Sequence, residues 1–384
     1  MKRLALPLLT LALVTSAHAQ GSFKLILTTS EKSIRKGEVR EQSIVKSWTL
    51  PAQGVKATRK VGRLSTTLTP LLDRMEKSVN ARKPTPAVFR NVKGSWVATQ
   101  QSGWVLDRQA TKANLLNAIK AGKSTAQVEI GRLQPGRSVD VLAQRGVLWH
   151  VATGTSSYRG SPAFRETNIL VGADKLDNFF IAPGHEFNFN EEIGQVDAST
   201  GFVKGFVISG GTLAKEDGGG ICQVSTTIFR ALYQAGLPVT ERHEHSHRVH
   251  YYDPVGYEAT VYAPAKNLRM KNDTGAHLFI QAAWDTAAKT LRFDVFGANT
   301  GRQVNVSQPV ITAFKAPAQP SYTPDERVAL GRRRLLDLPM QGMTSVLTRT
   351  IKVKGKLVSR DKLKSVYEPW GAVYGVHPQD KRLK

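Results

Sequence analysis

The sequence predicts an α+β protein made of several small domains, and three observations support this fold class. First, 384 residues are more than one hydrophobic core usually organises. Second, stretches in which apolar residues alternate are mixed along the chain with stretches in which they recur every three or four positions. Third, the composition changes near residue 300, where prolines and basic residues become frequent. We therefore expect a central α+β domain flanked by a small α+β module and a β-rich module.

The first residues of the chain predict export from the cytoplasm. Lys2 and Arg3 precede an apolar run from Leu4 to Val14, and Ala17-His18-Ala19 supplies the small residues that a signal peptidase requires. The apolar run is too short for a stable membrane span, and no later segment is apolar for long enough. We expect a signal peptide over residues 1–19 and a mature protein in the periplasm or the extracellular cell envelope.

Residues 20–140 predict a compact α+β module, because strand-like and helix-like patterns alternate within a short length. The expected elements are short strands or an extended entry segment over 23–55, a helix over 64–80, strands at 87–89 and 96–98, a helix from Asp107 to Gly122 and a closing strand over 127–130. The first helix places four apolar residues on one face: Leu68, Leu71, Leu72 and Met75.

Residues 150–300 predict the central domain, in which two helices are expected. The first spans 167–180 and is followed by an extended run over 187–190. Its apolar face consists of Ile169, Ala173, Leu176 and Phe180. The second follows three consecutive glycines at 218–220 and ends at Gly236. Consecutive glycines usually occur where the backbone needs conformations that other residues adopt poorly. We therefore expect a tight turn at 218–220, which would place Cys222 in the first turn of the second helix.

Cys222 is the only cysteine, so the chain has no intramolecular disulfide. A single cysteine in an exported protein is buried, paired between chains or reactive. At a helix start, unpaired amides and the helix dipole favour a thiolate, which is the nucleophilic form. We therefore weigh a reactive thiol above the alternative, in which Cys222 packs inward as a small apolar residue.

A histidine-rich segment follows, and a strand there would place His243, His245 and His247 on one face. A helix-start cysteine, then a histidine on a strand, then an acid is the order of papain-like and transglutaminase-like sites. The acid would be Glu258, on another strand-like run. Two alternatives remain open. The histidines can form a strand without ligands, or they can bind zinc with Glu258 or Cys222 as a further ligand.

Residues 301–384 predict a proline-containing linker and a basic, β-rich tail, with a hairpin over 348–358 and much of the tail solvated. The whole chain has a formal net charge of +24. For an exported protein, this charge favours anionic wall polymers or lipid headgroups as partners rather than nucleic acid, or serves only solubility.

The central residues carry a resemblance to a known family. Residues 150–300 resemble the VanW family, which is associated with the cell wall and named from vancomycin-resistance gene clusters. The matching segments are Arg165-Glu166-Thr167-Asn168-Ile169, Pro183 to Phe187, Asn190, Gly194, Gly218 to Thr227, Glu241-Arg242-His243, His245-Ser246, Val249, Tyr251, Gly256, Ala259-Thr260-Val261 and Lys271-Asn272. Asn188 stands where the family usually has serine, and Glu258 where it has aspartate. His247 lies outside the family pattern, which favours His245 as the base. In addition, residues 65–130 resemble a peptidoglycan-binding module found beside L,D-transpeptidase domains; the matching features are Pro86 to Phe89, Ser95-Trp96-Val97, Gly103, Leu106-Asp107 and the helix from Leu115 to Gly122. The alternative for this stretch is a plain α+β spacer without a ligand.

The leading hypothesis is a thiol acyl-transfer enzyme, a peptidase or transpeptidase, that acts on peptidoglycan or its stem peptides. Its catalytic residues would be Cys222 as nucleophile, His245 as base with His243 in reserve, and Glu258 as the orienting acid. The expected oxyanion and substrate-binding residues are Gly218, Gly219, Gly220, Gln223, Arg242 and Ser246. No cofactor and no metal are expected. The alternative is a non-catalytic peptidoglycan-binding protein linked to glycopeptide resistance or wall maintenance.

Overall fold

A computed structural model describes residues 22–209 and 212–383. The predicted signal peptide and its cleavage site lie outside these described residues. Two compact units divide the chain, one ending at Asp140 and the other beginning at Val141, and each is described by itself. Within the described part of the chain, no helix has the length and apolar character needed to span a bilayer. The whole is a multidomain α+β protein, as the sequence predicts.

The N-terminal unit contains seven strands and three α-helices among its described residues. In chain order they are β1 (Lys24–Arg35), β2 (Glu38–Thr49), α1 (Ala52–Val61), α2 (Thr69–Asn80), β3 (Thr85–Val92), β4 (Ser95–Gln101), β5 (Gly103–Leu106), α3 (Arg108–Lys120), β6 (Thr125–Gln127) and β7 (Ile130–Leu133). The main sheet has the order β2-β1-β4-β3, with β6 parallel to β1. The helices and β1 enclose an apolar core that includes Leu25, Leu72 and Leu115.

Local sequence signals place most of these elements. Asp107 caps α3 by accepting a hydrogen bond from the Ala110 amide at 2.9 Å. The helix predicted from residue 64 begins as an α-helix only at Thr69, after a 3₁₀ turn over Thr66–Leu68. The entry segment forms two paired twelve-residue strands and a helix, which is more structure than expected. The single closing strand over 127–130 was a wrong prediction, because β6 ends at Gln127 and β7 starts at Ile130.

The second unit contains the central domain and the C-terminal strands. A short helix, α4 (Val139–Gln144), includes the sequence boundary between the two units. Its central elements are β8 (Trp149–Ser157), α5 (Ala163–Lys175), β9 (Phe179–Ile181), β10 (Glu186–Asn188), α6 (Phe189–Ile193), β11 (Lys204–Ser209), β12 (Thr212–Asp217), α7 (Ile221–Gln234), β13 (Val239–Glu241), β14 (Arg269–Lys271), β15 (Leu278–Asp285) and β16 (Thr290–Gly297). Its C-terminal strands are β17 (Arg302–Val306), β18 (Val310–Lys315), β19 (Ser321–Pro324), β20 (Arg334–Asp337), β21 (Gly342–Val353), β22 (Lys356–Tyr367) and β23 (Val373–Val376).

Helix α7 packs against a sheet of order β8-β16-β15-β9 and has buried residues on all of its faces. The contact is close because β8 carries Gly154. A Cβ atom added there would lie 2.3 Å from both the Ala231 nitrogen and the Thr227 oxygen, which are backbone atoms of α7. The absence of a side chain at Gly154 therefore sets the distance between the sheet and the helix that carries Cys222.

One helix boundary differs from the prediction. The helix expected over 167–180 runs over Ala163–Lys175, with Ile169 and Ala173 buried. It ends at Lys175 with Leu176 as its C-cap, and the turn that follows includes Asn178 in a left-handed conformation, with φ of 61°. Phe180 then lies in strand β9, not on the helix face. The extended run expected over 187–190 also turns into helix α6 after Asn188, whose side chain caps that helix.

The C-terminal strands form two sheets, of order β17-β21-β18 with β22 beside β21, and β19-β23-β20. The predicted hairpin is present but is longer, since β21 and β22 each contain twelve residues. Leu347 and Leu363 of this hairpin belong to the same apolar core as α7. The prediction of a largely solvated tail was therefore wrong for the hairpin. Apolar residues at alternating positions bury one face of it against the central domain.

Candidate active site

The glycine turn before α7 has the backbone geometry that only glycine adopts easily. Gly218 and Gly220 have φ angles of 82° and 115°. A Cβ atom at Gly220 would lie 2.7 Å from the Cγ atom of Arg165, so the turn also allows a close approach. The Asn168 side chain donates to the Gly219 carbonyl at 3.0 Å and holds the turn in place. As predicted, Cys222 lies in the first turn of the helix.

The Cys222 sulfur is half-buried and faces the chain after Glu258. It lies 3.5 Å from the Thr260 hydroxyl and 3.5 Å from the Val261 carbonyl oxygen, and the His245 imidazole lies near enough to change the titration of the thiol. Burial alone would raise the pKa of this thiol, but the hydrogen bond and positive charge of His245, with help from Thr260, lower the pKa below its usual value. The thiolate of Cys222 therefore forms more readily than that of an ordinary cysteine.

His245 lies between Cys222 and Glu258. Its Nδ1 atom is 3.0 Å from Glu258 Oε2, and its ring stacks on Tyr252 with 4.7 Å between centroids. The Nδ1–H bond does not point along the line to the carboxylate, so this contact is an ion pair rather than an aligned hydrogen bond. Burial would lower the pKa of His245, but the Glu258 charge and the Cys222 hydrogen bond raise the pKa to about 9.

The Glu258 carboxylate is almost completely buried and has a partner on each oxygen. Oε2 faces His245, and Oε1 accepts a 2.7 Å hydrogen bond from the Tyr367 hydroxyl. Burial would raise the pKa of this carboxyl, but His245, the Tyr367 hydrogen bond and the charge of Arg242 outweigh it and lower the pKa. Glu258 is thus held as a carboxylate beside an imidazolium.

Two buried arginines hold the irregular segment that carries Tyr252 and Glu258. Arg230 on α7 donates to the carbonyl oxygens of Tyr252 at 2.6 Å and Tyr257 at 2.8 Å. Arg242 donates to the carbonyl oxygens of Glu258 at 2.6 Å and Gly256 at 3.1 Å. Charged donors to backbone carbonyls replace the strand pairing that this segment lacks, and they fix the acid relative to the helix.

The prediction that three histidines share one strand face was wrong. Strand β13 ends at Glu241, and only an isolated bridge between His243 and Thr260 follows in the histidine-rich segment. Glu258 likewise lies outside regular strands. His243 contacts Glu241 at 3.0 Å, and His247 contacts the Glu368 carbonyl at 2.9 Å. Of the three histidines, His245 is the one that contacts both Cys222 and Glu258.

The amides expected to bind an oxyanion are partly occupied. The Ile221 and Gln223 amides donate to the Gly218 and Gly220 carbonyls, both at 2.9 Å. Among the residues that the structure describes, none accepts a hydrogen bond from the Cys222 amide, so that group can face a developing oxyanion.

The Gln223 side chain and the two other candidate binding residues contact the protein itself. Gln223 accepts from Arg165 at 2.8 Å and donates to the Ser157 carbonyl at 3.2 Å. Arg242 is buried in the contacts described above. Ser246 is exposed, and its carbonyl accepts from the Glu368 amide at 2.7 Å. In this arrangement, Gln223 and Arg242 support the site from behind.

The zinc alternative lacks a ligand cluster in the described residues. No group of three or more histidine, cysteine, aspartate or glutamate side chains there is arranged to hold a metal ion. His243 and His247 contact separate partners, so a His-x-His-x-His ligand set does not form at this place.

A groove of about 710 Å³ lies beside the site rather than at the thiol. Its walls are β13 and the β21–β22 hairpin, and its lining includes Arg242, Arg302 and Lys362. Cys222 and His245 do not line it. We place the candidate site at Cys222 because acyl transfer requires a nucleophile, a base and an orienting acid in mutual contact.

Four residues that contact the site were not among the site residues predicted from the sequence: Arg165, Tyr252, Thr260 and Tyr367. Arg165 donates to the Tyr252 hydroxyl at 3.3 Å and thereby supports the ring that stacks on His245. Arg165 and Thr260 belong to the motif segments of the family resemblance, which was the available signal. Nothing local marks Tyr367, because its role depends on how a distant hairpin packs.

The fold and the contacts define an α+β protein with a cysteine, a histidine and a glutamate in contact at a helix start. Residues 164–296 match the family described as VanW like protein. This match covers less than half of the chain, so the central domain is similar to that family. Because the match begins at residue 164, the peptidoglycan-binding role of residues 20–140 stays a prediction.

Two known proteins are similar to this chain. The protein YoaR of Bacillus subtilis (strain 168) is 30% identical over 206 residues, which cover 52% of this chain and 65% of YoaR. The vancomycin B-type resistance protein VanW of Enterococcus faecalis (strain ATCC 700802 / V583) is 28% identical over 112 residues, which cover 28% of this chain and 40% of that protein. The chain thus spans less than two thirds of the length of either relative.

Two solved structures also match part of the chain. They are the G5 domain of HP0197, with 20% identity and a TM-score of 0.11, and the IgA1 protease G5 domain, with 17% identity and a TM-score of 0.12. They cover 20% and 21% of this chain and 96% of each of those chains. Scores this low say nothing about the function of this chain.

The raised pKa of His245 predicts a protonated imidazole at pH 7.5. A histidine in the unfolded chain titrates near 6.5, so protonation of His245 stabilises the folded state fully below about pH 6.5. That contribution is lost as the pH rises through about 9. The lowered pKa of Cys222 gives a contribution to stability that increases with pH, opposite to that of His245. A measurement of overall stability would therefore mix the two groups, and the titration of the His245 imidazole must be observed directly. Nitrogen-15 chemical shifts of His245 should titrate near pH 9, and a midpoint near 6.5 would contradict the assigned contacts.

Proposed function

We propose that this protein is a thiol acyl-transfer enzyme that acts on peptide or amide bonds of cell-wall peptides. The observation that carries the proposal is the unbroken series of contacts from Cys222 to His245 and from His245 to Glu258. A thiol at a helix start, with a lowered pKa and an imidazolium partner, is the arrangement that cysteine nucleophiles use.

In the first half-reaction, the Cys222 thiolate attacks the carbonyl carbon of the substrate, and the carbonyl oxygen becomes an oxyanion beside the Cys222 amide. The carbon–nitrogen bond then breaks, the His245 imidazolium gives its proton to the departing amine, and a thioester remains on Cys222. In the second half-reaction, water or another amine attacks the thioester carbonyl and loses a proton to neutral His245. The carbon–sulfur bond breaks and the thiolate–imidazolium pair is restored.

Glu258 holds the imidazole in place and stabilises its charge through both half-reactions. It does not need to take the proton, because the pKa of His245 is raised and that of Glu258 is lowered. Tyr252 covers one face of the ring and limits its rotation. Water as the second nucleophile gives a peptidase, and an amine gives a transpeptidase.

Three observations support wall peptides as the substrate class. Residues 164–296 match the family described as VanW like protein, and one relative is named as a vancomycin resistance protein. The first residues predict export to the cell envelope. Finally, the net charge of +24 favours residence among anionic wall polymers and acidic stem peptides.

The test is to incubate the full chain with purified sacculi and with synthetic stem peptides, and to measure the mass of the intact protein and the released products. We expect an acyl adduct on Cys222 and new amine termini, both absent in Cys222→Ala. If the wild type forms no adduct and its thiol reacts with iodoacetamide no faster than free cysteine at pH 6, the enzymatic proposal is wrong.

The second candidate is a non-catalytic protein that recognises wall peptides. The internal contacts of Gln223 and Arg242 favour it, because they leave fewer polar side chains to stabilise a transition state. This candidate predicts that wild type and Cys222→Ala bind purified sacculi equally and leave them undigested.

A further inference from the structure

The C-terminal hairpin contacts the acid of the candidate site directly. Tyr367 is the last residue of β22 and is 2% exposed. Its hydroxyl accepts a hydrogen bond from the Gly256 amide at 2.9 Å and donates to Glu258 Oε1 at 2.7 Å. Because the Gly256 amide occupies a lone pair, the hydroxyl proton is directed at the carboxylate.

Other hairpin residues contact the backbone before Glu258 and the arginine that donates to the Glu258 carbonyl. The Ser345 hydroxyl donates to the Val255 carbonyl at 3.0 Å, and Arg242 donates to the Ser365 hydroxyl at 2.9 Å. The approach is close at Gly256, where an added Cβ atom would lie 2.6 Å from the Ser345 oxygen. The hairpin is therefore built against the segment that carries the acid, and its contact there does not depend on one side chain.

We infer that the hairpin is a functional part of the Cys222 site, in which Tyr367 is a positioning residue that orients the Glu258 carboxylate toward His245. This inference rests on the proposed function. It assigns a role in catalysis to residues that the sequence placed in an accessory tail.

The two oxygens of Glu258 show what Tyr367 contributes. Oε2 lies against the His245 ring, while Oε1 accepts from the Tyr367 hydroxyl at 2.7 Å and from the His245 amide at 3.4 Å, so the shorter bond from the hydroxyl contributes most to fixing the rotation of the carboxylate group. Without that donor, a buried carboxylate loses a hydrogen bond that favours its ionised form and becomes easier to protonate. A protonated Glu258 no longer stabilises the imidazolium, and the Cys222 thiolate loses its partner as a result.

The test compares Tyr367→Phe with the control Tyr374→Phe in the full chain. Tyr374 is a half-buried tyrosine on β23 whose ring stacks on Tyr322, away from the Glu258 contacts. The rate of Cys222 alkylation by iodoacetamide is measured from pH 4 to pH 9. We expect the acidic limb of the Tyr367→Phe profile to move upward by about one pH unit, since a hydrogen bond to a charged group has about that effect. The control profile should match that of the wild type.

A second pair of variants separates positioning from folding. When Tyr367→Phe is added to a Glu258→Gln protein, the acidic limb of the alkylation profile should not move further, because the carboxylate to which Tyr367 donates is no longer present. If Tyr367→Phe lowers the rate equally at every pH, in proportion to the folded fraction seen by circular dichroism, the role is structural and the inference is wrong. A profile superimposable on the wild type also overturns it. If wild-type Cys222 is itself no more reactive than free cysteine, the proposed function fails instead.

Discussion

Replacing His245 by asparagine is expected to slow alkylation of Cys222 by iodoacetamide at pH 6 by about thirtyfold. An ordinary thiol of pKa near 8.5 is only about 0.3% thiolate at this pH, so holding the thiolate form increases its population up to about 300-fold. A more acidic thiol is a weaker nucleophile, which removes about tenfold of that advantage. The His245 contacts supply the effect, since they lower the pKa of the Cys222 thiol.

The matched control for this experiment is His185→Asn, which changes an exposed histidine before β10. Its alkylation rate should equal that of the wild type. The advantage of the wild type should also be lost above about pH 9, where an ordinary thiol is ionised without help, and His245→Asn should there react at least as fast because its thiolate is the more basic nucleophile. Equal rates for His245→Asn and wild type at pH 6 would show that Cys222 is not activated by this imidazole.

Adding a single methyl group at Gly154 is expected to lower the free energy of unfolding of the second unit by about 3 kcal/mol or more. The new Cβ atom would lie 2.3 Å from two backbone atoms of α7, and backbone cannot rotate away as a side chain can. Either the sheet or the helix must move, and the apolar core between them would lose contacts.

Urea unfolding of Gly154→Ala, followed by circular dichroism, measures this loss. The control is Gly275→Ala, because an added Cβ atom there has open space around it, and it should change stability by less than about 0.5 kcal/mol. Helix α7 carries Cys222, so a folded Gly154→Ala protein should also show slower alkylation of that thiol. Stability equal to that of the wild type would mean that α7 does not pack as closely as described.

Local chemistry made several parts of the site predictable. Three glycines before an apolar helical pattern are sufficient to predict a turn that presents Cys222 at a helix start, because the positive φ angles at Gly218 and Gly220 are local requirements. Asp107 and its helix are predictable for the same reason, since a cap contacts residues only three positions away.

The histidine-rich segment shows where such reasoning stops. Alternation of histidines predicts a shared strand face only if the segment pairs as a strand, and pairing depends on partners elsewhere in the chain. Here Arg230 and Arg242 hold the neighbouring segment by its carbonyl groups, so His243, His245 and His247 point to different partners. The choice of His245 came from the family pattern and not from geometry.

The sequence by itself determined the α+β class, the helix that carries Cys222 and the residue types for thiol chemistry, because these depend on local backbone preferences and on the periodicity of apolar residues. Only the tertiary structure decided which histidine meets the thiol, where Glu258 directs its two oxygens, and that Tyr367 of a distant hairpin contacts that acid. Burial of one face of the hairpin in the core of α7 brings these groups together, and a packing contact between remote segments leaves no mark in either segment alone.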